Sequence, residues 1–128
     1  MQQYAGNLVD SSITILIDPC ANPRMTQRDV WKKRKVVTDY RAYKDELKLS
    51  VPFRIRPVEM ELQFNIRMSE SWTRKKKEQL RGKPHQIKPD IDNLIKGFLD
   101  ALYEKDEAVW KIKAEKRWSD EGSITISS

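Results

Sequence analysis

Lys88-Pro89-Asp90-Ile91-Asp92-Asn93-Leu94-Ile95-Lys96-Gly97-Phe98-Leu99-Asp100-Ala101-Leu102 begins polar, passes a proline and two carboxylates, and then turns apolar at helical spacing. Ile91, Leu94, Ile95, Phe98, Leu99 and Leu102 fall on one stripe, which predicts an amphipathic helix over 90–103. Pro89 precedes it, and Asp90 suits the N-cap, where a side-chain oxygen can accept from free backbone N–H groups.

The flanking segments supply the rest of the fold. Val58 to Arg67 alternates, with Met60, Leu62, Phe64 and Ile66 on one face and Glu59, Glu61, Gln63 and Asn65 on the other, the period of a half-buried strand. Ser12 to Asp18 reads as a strand with Ile13, Ile15 and Ile17 together, and Pro19 to Pro23 breaks it. Val36 to Leu49 carries Val36, Tyr40, Tyr43 and Leu47 on a helical stripe. A short basic helix is expected over 71–81 with Ser71 as cap, then a loop over 82–89. Ala108 to Trp118 alternates, with Trp110, Ile112, Ala114 and Trp118 inward, so both tryptophans are expected in the core. Asp120-Glu121-Gly122 turns the chain into a last strand over 123–127, and these two strands are expected to form a hairpin. The result is a single α+β domain over 1–128, with residues 1–10 a loose end. Its small sheet is mixed or antiparallel, with helices packed on one face.

The chain has 128 residues, of which 34% are charged, with a formal net charge of +6. The surplus favours polyanionic partners, and no apolar run is long enough to span a bilayer. The amino terminus lacks the order of a signal peptide. Cys20 stands alone, which excludes an intrachain disulfide and any zinc cluster built on cysteine pairs. It reads as a small apolar residue in a reducing compartment, and a cytoplasmic location is expected.

Basic residues concentrate in two clusters. Arg24, Arg28, Lys32, Lys33, Arg34 and Lys35 face one acid, Asp29. Arg74, Lys75, Lys76, Lys77, Arg81, Lys83 and Lys88 face one acid, Glu78. A charge run is ordinarily a solvated face, but with so few acids nearby these are candidate phosphate contacts. Trp31 and Trp72 sit within the clusters and are either core residues or platforms for unpaired bases.

Asp90 and Asp92 are separated by one residue at a helix start, where backbone N–H groups stabilise anions. The spacing suits two oxygen ligands for a hard cation such as Mg²⁺, with a third acid drawn from elsewhere, Asp106 or Glu107. The plainer reading is two ordinary helix-start residues, each contributing roughly 0.3–2 kcal/mol. Lys96 follows Asp92 by four residues on the same face, so it either stabilises charge on a phosphate or forms an i,i+4 ion pair with Asp92 or Asp100. Asp100 reads as a partner for Lys96, two turns from Asp92 and too far for one compact metal site. His85, the only histidine, reads as a loop or phosphate contact.

Residues 84–118, with Asp90-Ile91-Asp92-Asn93-Leu94-Ile95-Lys96, Asp100-Ala101-Leu102 and Lys105-Asp106-Glu107-Ala108-Val109, resemble the RusA family of Holliday-junction resolvases, with weaker similarity over 24–35. The resemblance implies catalysis by Asp90, Asp92, Lys96 and Asp106, with the three aspartates holding Mg²⁺, for which Mn²⁺ can substitute, and no small-molecule cofactor. Lys105 stands where the family carries an acid. The family's catalytic acid at that corner falls on Asp106, with Glu107 able to share its role. The resemblance further implies a homodimer that cleaves four-way DNA junctions, contacting DNA through Arg24, Arg28, Lys32, Lys33, Arg34, Arg74, Lys75, Lys76, Lys77, Lys83 and Lys88. A non-catalytic nucleic-acid-binding module of the same fold, or a nuclease for flaps and other branched DNA, is the alternative.

Overall fold

The computed structural model describes residues 12–23, 35–52 and 56–127. The chain runs β1 (Ser12–Ile15), α1 (Lys35–Ser50), β2 (Glu59–Arg67), α2 (Arg74–Leu80), α3 (Ile91–Leu102), a 3-10 turn (Asp106–Ala108), β3 (Lys111–Ser119) and β4 (Ser123–Ser127). The expected strands and helices all form, with ends shifted by a few residues. The expected loose end at 1–10 lies outside the described residues.

The sheet has the order β1-β4-β2-β3 and is mixed. β2 pairs parallel with β3, from Glu59↔Lys111 to Arg67↔Ser119, and antiparallel with β4, from Glu61↔Ser127 to Asn65↔Ser123. β3 and β4 are therefore not the expected hairpin: β2 lies between them. The Asp120–Gly122 turn carries the chain across the end of β2, and β2, which buries Met60, Leu62 and Phe64, gains a partner on both edges. Gly122 makes its part of the turn without a positive φ. Its need for glycine is proximity, since a Cβ there would lie 2.8 Å from Asp18 Cα. The positive φ belongs to Gly82, at 79°.

β2 and β3 sort their side chains as the alternation requires. Met60, Leu62 and Phe64 are buried with Ile124 and Ile126 of β4 and Ile15 of β1. On the opposite face Glu59 and Glu61 lie across from Lys111 and Lys113, at 3.7 and 4.0 Å. The apolar face is covered by α1 and α3. α1 contributes Val37, Tyr40, Tyr43 and Leu47, and α3 contributes Leu94, Phe98, Ala101 and Leu102. In the first turn of α1 Val37 takes the buried place expected of Val36, which is 44% exposed. Phe98 meets Phe64 edge to face, centroids 6.5 Å apart. Truncating either ring to alanine would cost about 3–5 kcal/mol.

Two contacts fix α3 in place. The Cys20–Asn22 stretch crosses it at Gly97, where a Cβ would lie 2.6 Å from Cys20 O. Tyr40 also donates its hydroxyl to Gly97 O at 3.0 Å. Cys20 packs against the core, and burial pushes its thiol pKa up, as befits an inert apolar residue.

Trp110 departs from expectation: it is 69% exposed, because it precedes β3 and its backbone N–H donates to Val58 O beyond the paired strand. Trp118 is half-buried on the inner side, its ring 4.9 Å from Trp72 and 4.3 Å from His85.

Candidate metal centre

The loop into α3 is anchored along the outer edge of β3. Gly82 N donates to Trp118 O, Trp118 N to Lys83 O, and His85 N to Lys116 O, all within 3.0 Å. This short strip of pairing brings 82–85 beside the sheet and delivers Asp90 to the start of α3. An open depression of about 600 Å³ forms there, lined by His85, Gln86, Ile87, Lys88, Asp90, Ile91, Asp92 and Lys116.

Asp90 occupies the N-cap position with extended backbone, but its side chain makes no capping hydrogen bond. Its carbonyl, not its carboxylate, accepts the first helical bond, from Leu94 N at 3.1 Å. Asp92 Oδ1 accepts from Asn93 N at 2.9 Å, and Asp92 is exposed. The capping role that would explain Asp90 as a helix-start residue is therefore unfilled, and among the described residues its carboxylate has no partner. Two carboxylates on one rim, one uncommitted, are a donor set that fits a hard divalent cation.

Lys96 is exposed and makes no ion pair with Asp92 or Asp100. The expected pairing of Asp100 with Lys96 is replaced: Asn22 Nδ2 donates to Asp100 Oδ2 at 2.5 Å, because the 20–23 stretch lies across that face of α3. Lys96 is thus left with its charge available.

Asp106 and Glu107 lie in the 3-10 turn after the far end of α3, both exposed. From Asp92 to Leu102 the helix rises roughly 15 Å, so Asp106 sits at the opposite end from Asp90 and Asp92. Among the described residues no group of three or more His, Cys, Asp or Glu could hold a metal ion. The fold brings two of the three expected ligands together and keeps the third apart.

His85 is in the entry loop, but the residue is 3% exposed, and Nδ1 has no hydrogen-bond partner among the described residues. That burial removes it from the role of phosphate contact. Burial first and the neighbouring Lys116 charge second hold its pKa below the usual histidine value.

Of the basic clusters, Arg24, Arg28, Trp31, Lys32, Lys33 and Arg34 lie outside the described residues. α2 buries nothing and is capped by Thr73, whose side chain accepts from Lys76 N, rather than by Ser71, which is bonded to Ser69. Arg74 pairs with Glu78 at 3.3 Å. Lys76 Nζ lies 3.9 Å over the half-buried Trp72 ring, whose centroid is 4.9 Å from that of Trp118. Lys75, Lys83 and Lys88 are exposed. Arg81 is committed to Asp120 through Nε and Nη2, at 2.8 and 3.0 Å.

Two features escaped the sequence reading. Lys116 reaches the rim from β3; it is the one cation at an inward position of that strand, between Ala114 and Trp118, and the alternation itself was the signal. Arg41, Lys44 and Lys48 line a second, larger groove with Arg56 and Lys105 at the other end of α3. Their spacing along α1 places them on one stripe.

The chain matches the RusA endodeoxyribonuclease family over residues 17–127 and belongs to it. No curated protein and no solved structure matches it. Membership gives the coarse function, a nuclease-family hydrolase acting on DNA. No helix among the described residues is long and apolar enough to cross a membrane.

Proposed function

We propose that this chain is a divalent-metal-dependent endonuclease that cleaves four-way DNA junctions as a C₂ homodimer. The observation that carries the reading is the Asp90 carboxylate, free of any capping bond, on one rim with Asp92. Asp90 and Asp92 would hold Mg²⁺ or Mn²⁺, and the ion would supply Lewis-acid polarisation of the scissile phosphate and neutralise its leaving oxygen. Lys96, without an ion-pair partner among the described residues, is one helical turn from Asp92 and would stabilise charge that develops on the phosphate. Lys75, Lys76, Lys77, Lys83 and Lys88 would hold the DNA backbone, joined by Arg24, Arg28, Lys32, Lys33, Arg34 and Arg74.

The separation of Asp106 from Asp92 supports the dimer. An acid in the turn beyond the far end of a helix that rises roughly 15 Å from Asp92 to Leu102 is poorly placed to share a cation with Asp92 in the same copy. A second copy related by a two-fold axis would place its Asp106 at the first copy's Asp90 and Asp92, and the reciprocal pairing builds the second site. Two equivalent sites match a substrate that needs two symmetric cuts.

The same separation is what favours the rival, a DNA-binding module that keeps the fold without cutting. Cleavage of labelled junction, flap and linear duplex, with Mg²⁺, Mn²⁺ or chelator, decides. The proposal expects metal-dependent paired nicks in the junction. Equal cutting of flaps would shift the substrate to branched DNA generally, and tight binding without cutting would establish the module.

A further inference from the structure

Lys116 occupies a position that a lysine ordinarily avoids. It sits on the inner face of β3, flanked by Ala114 and Trp118, and its register partner on β2 is the fully buried Phe64. An ammonium partly withdrawn from water persists where hydrogen bonds replace its hydration. Lys116 Nζ donates to Ile87 O and to Pro89 O, each at 2.6 Å, while its backbone carbonyl accepts from His85 N at 3.0 Å. One residue thus ties both the beginning and the end of the entry loop to the sheet.

The second carbonyl matters most. Pro89 C=O belongs to the peptide unit whose nitrogen is that of Asp90, so a bond to this oxygen fixes the orientation of that peptide plane. Asp90 has no capping bond of its own to fix it. We infer that Lys116 is a positioning residue of the metal site: through the Ile87 and Pro89 carbonyls it sets the approach of the Asp90 carboxylate towards the cation shared with Asp92. This rests on the metal-dependent reading above. The role is exerted through the two carbonyls that Lys116 Nζ holds.

The test uses the full chain and reads metal binding directly, by electron paramagnetic resonance of free Mn²⁺ without DNA. Lys116→Met keeps the stem and removes the donors, and Lys116→Arg restores donors and charge. Mn²⁺ affinity is expected to fall about 10–100-fold in Lys116→Met, the range for removing a group that orients a ligand. The Mg²⁺ concentration for half-maximal single-turnover cleavage should rise by the same factor. Junction affinity in Ca²⁺ should stay within about twofold, since one of many cations is lost, and Lys116→Arg should recover most of the metal affinity. Wild-type Mn²⁺ affinity in Lys116→Met overturns the inference. So does equal loss in the Met and Arg variants with a matching drop in melting temperature, which would make Lys116 a packing residue. If Lys116→Met does not fold, Lys116→Gln, which keeps one donor group, is read in the same way. A wild-type chain that binds Mn²⁺ but cuts no branched DNA refutes the proposed activity and leaves the positioning role to be judged on the titration.

Discussion

Subunit mixing offers a direct test of where the third acid comes from. Asp92→Asn and Asp106→Asn are each expected to abolish cutting. In a shared-site dimer, a heterodimer of the two has one site with both lesions and one site with none. Equal amounts, fully exchanged, give half heterodimers, and each restores one of two sites, so about a quarter of the wild-type sites return. The structural basis is the rise of roughly 15 Å between Asp92 and the end of α3, against ligand distances of about 2 Å around Mg²⁺. The restored activity should be nicking without paired resolution, because each active dimer holds one working site. The assay is cleavage of an end-labelled junction after denaturation and renaturation together, with exchange verified by a tag on one variant. Exchanged heterodimers that do not nick would refute the argument and place Asp106 outside any site shared between copies. Glu107→Gln, mixed in the same way, is expected to behave as wild type. If it takes the place of Asp106→Asn, the assignment at that corner moves one residue.

Three further outcomes follow from the geometry. Lys96→Ala should slow single-turnover cleavage roughly 10²–10³-fold with little change in junction binding, whereas a near-normal rate would return Lys96 to the surface. Replacing Lys75, Lys76 and Lys77 by alanine should flatten the dependence of log affinity on log salt, by about 0.9 for each phosphate contact removed, and an unchanged slope would mean that α2 is only solvated. His85 has a folded pKa depressed below its unfolded value near 6.5, so the unfolded chain binds the proton first. Stability should be full above about pH 6.5 and fall as the pH drops below it. His85→Gln should lose less melting temperature than wild type between pH 7 and pH 5, and parallel curves would show that burial of this ring is not coupled to protonation.

Sequence patterning resolved what local periodicity controls and missed what tertiary pairing controls. The alternation of β2 and the stripe of α3 place Phe64 and Phe98 correctly, because burial on one face is written into spacing. The β3–β4 hairpin failed because a short turn between two strands also permits a strand to lie between them, and only the apolar demand of β2 for two partners decides. Asp90 and Asp92 were legible as a pair through their spacing. The free state of the Asp90 carboxylate was not, since an N-cap aspartate with and without a capping bond reads identically.

Lys116 shows the same boundary from the other side. Its position was readable: Ile112, Ala114 and Trp118 alternate, and Lys116 falls in their phase. A period of two assigns faces, and a cation in the apolar phase is an exception that demands a compensating partner. The identity of that partner is set by the loop that Gly82 turns onto the edge of β3, thirty residues earlier in the chain and with no periodic signal of its own. The exception and its resolution meet at the Pro89 carbonyl, one peptide away from the uncapped Asp90. A half-buried lysine in the apolar phase, bonded to carbonyls adjoining an aspartate that caps nothing, fits a fold that must hold the orientation of that aspartate. Core packing alone would be served by a valine at 116.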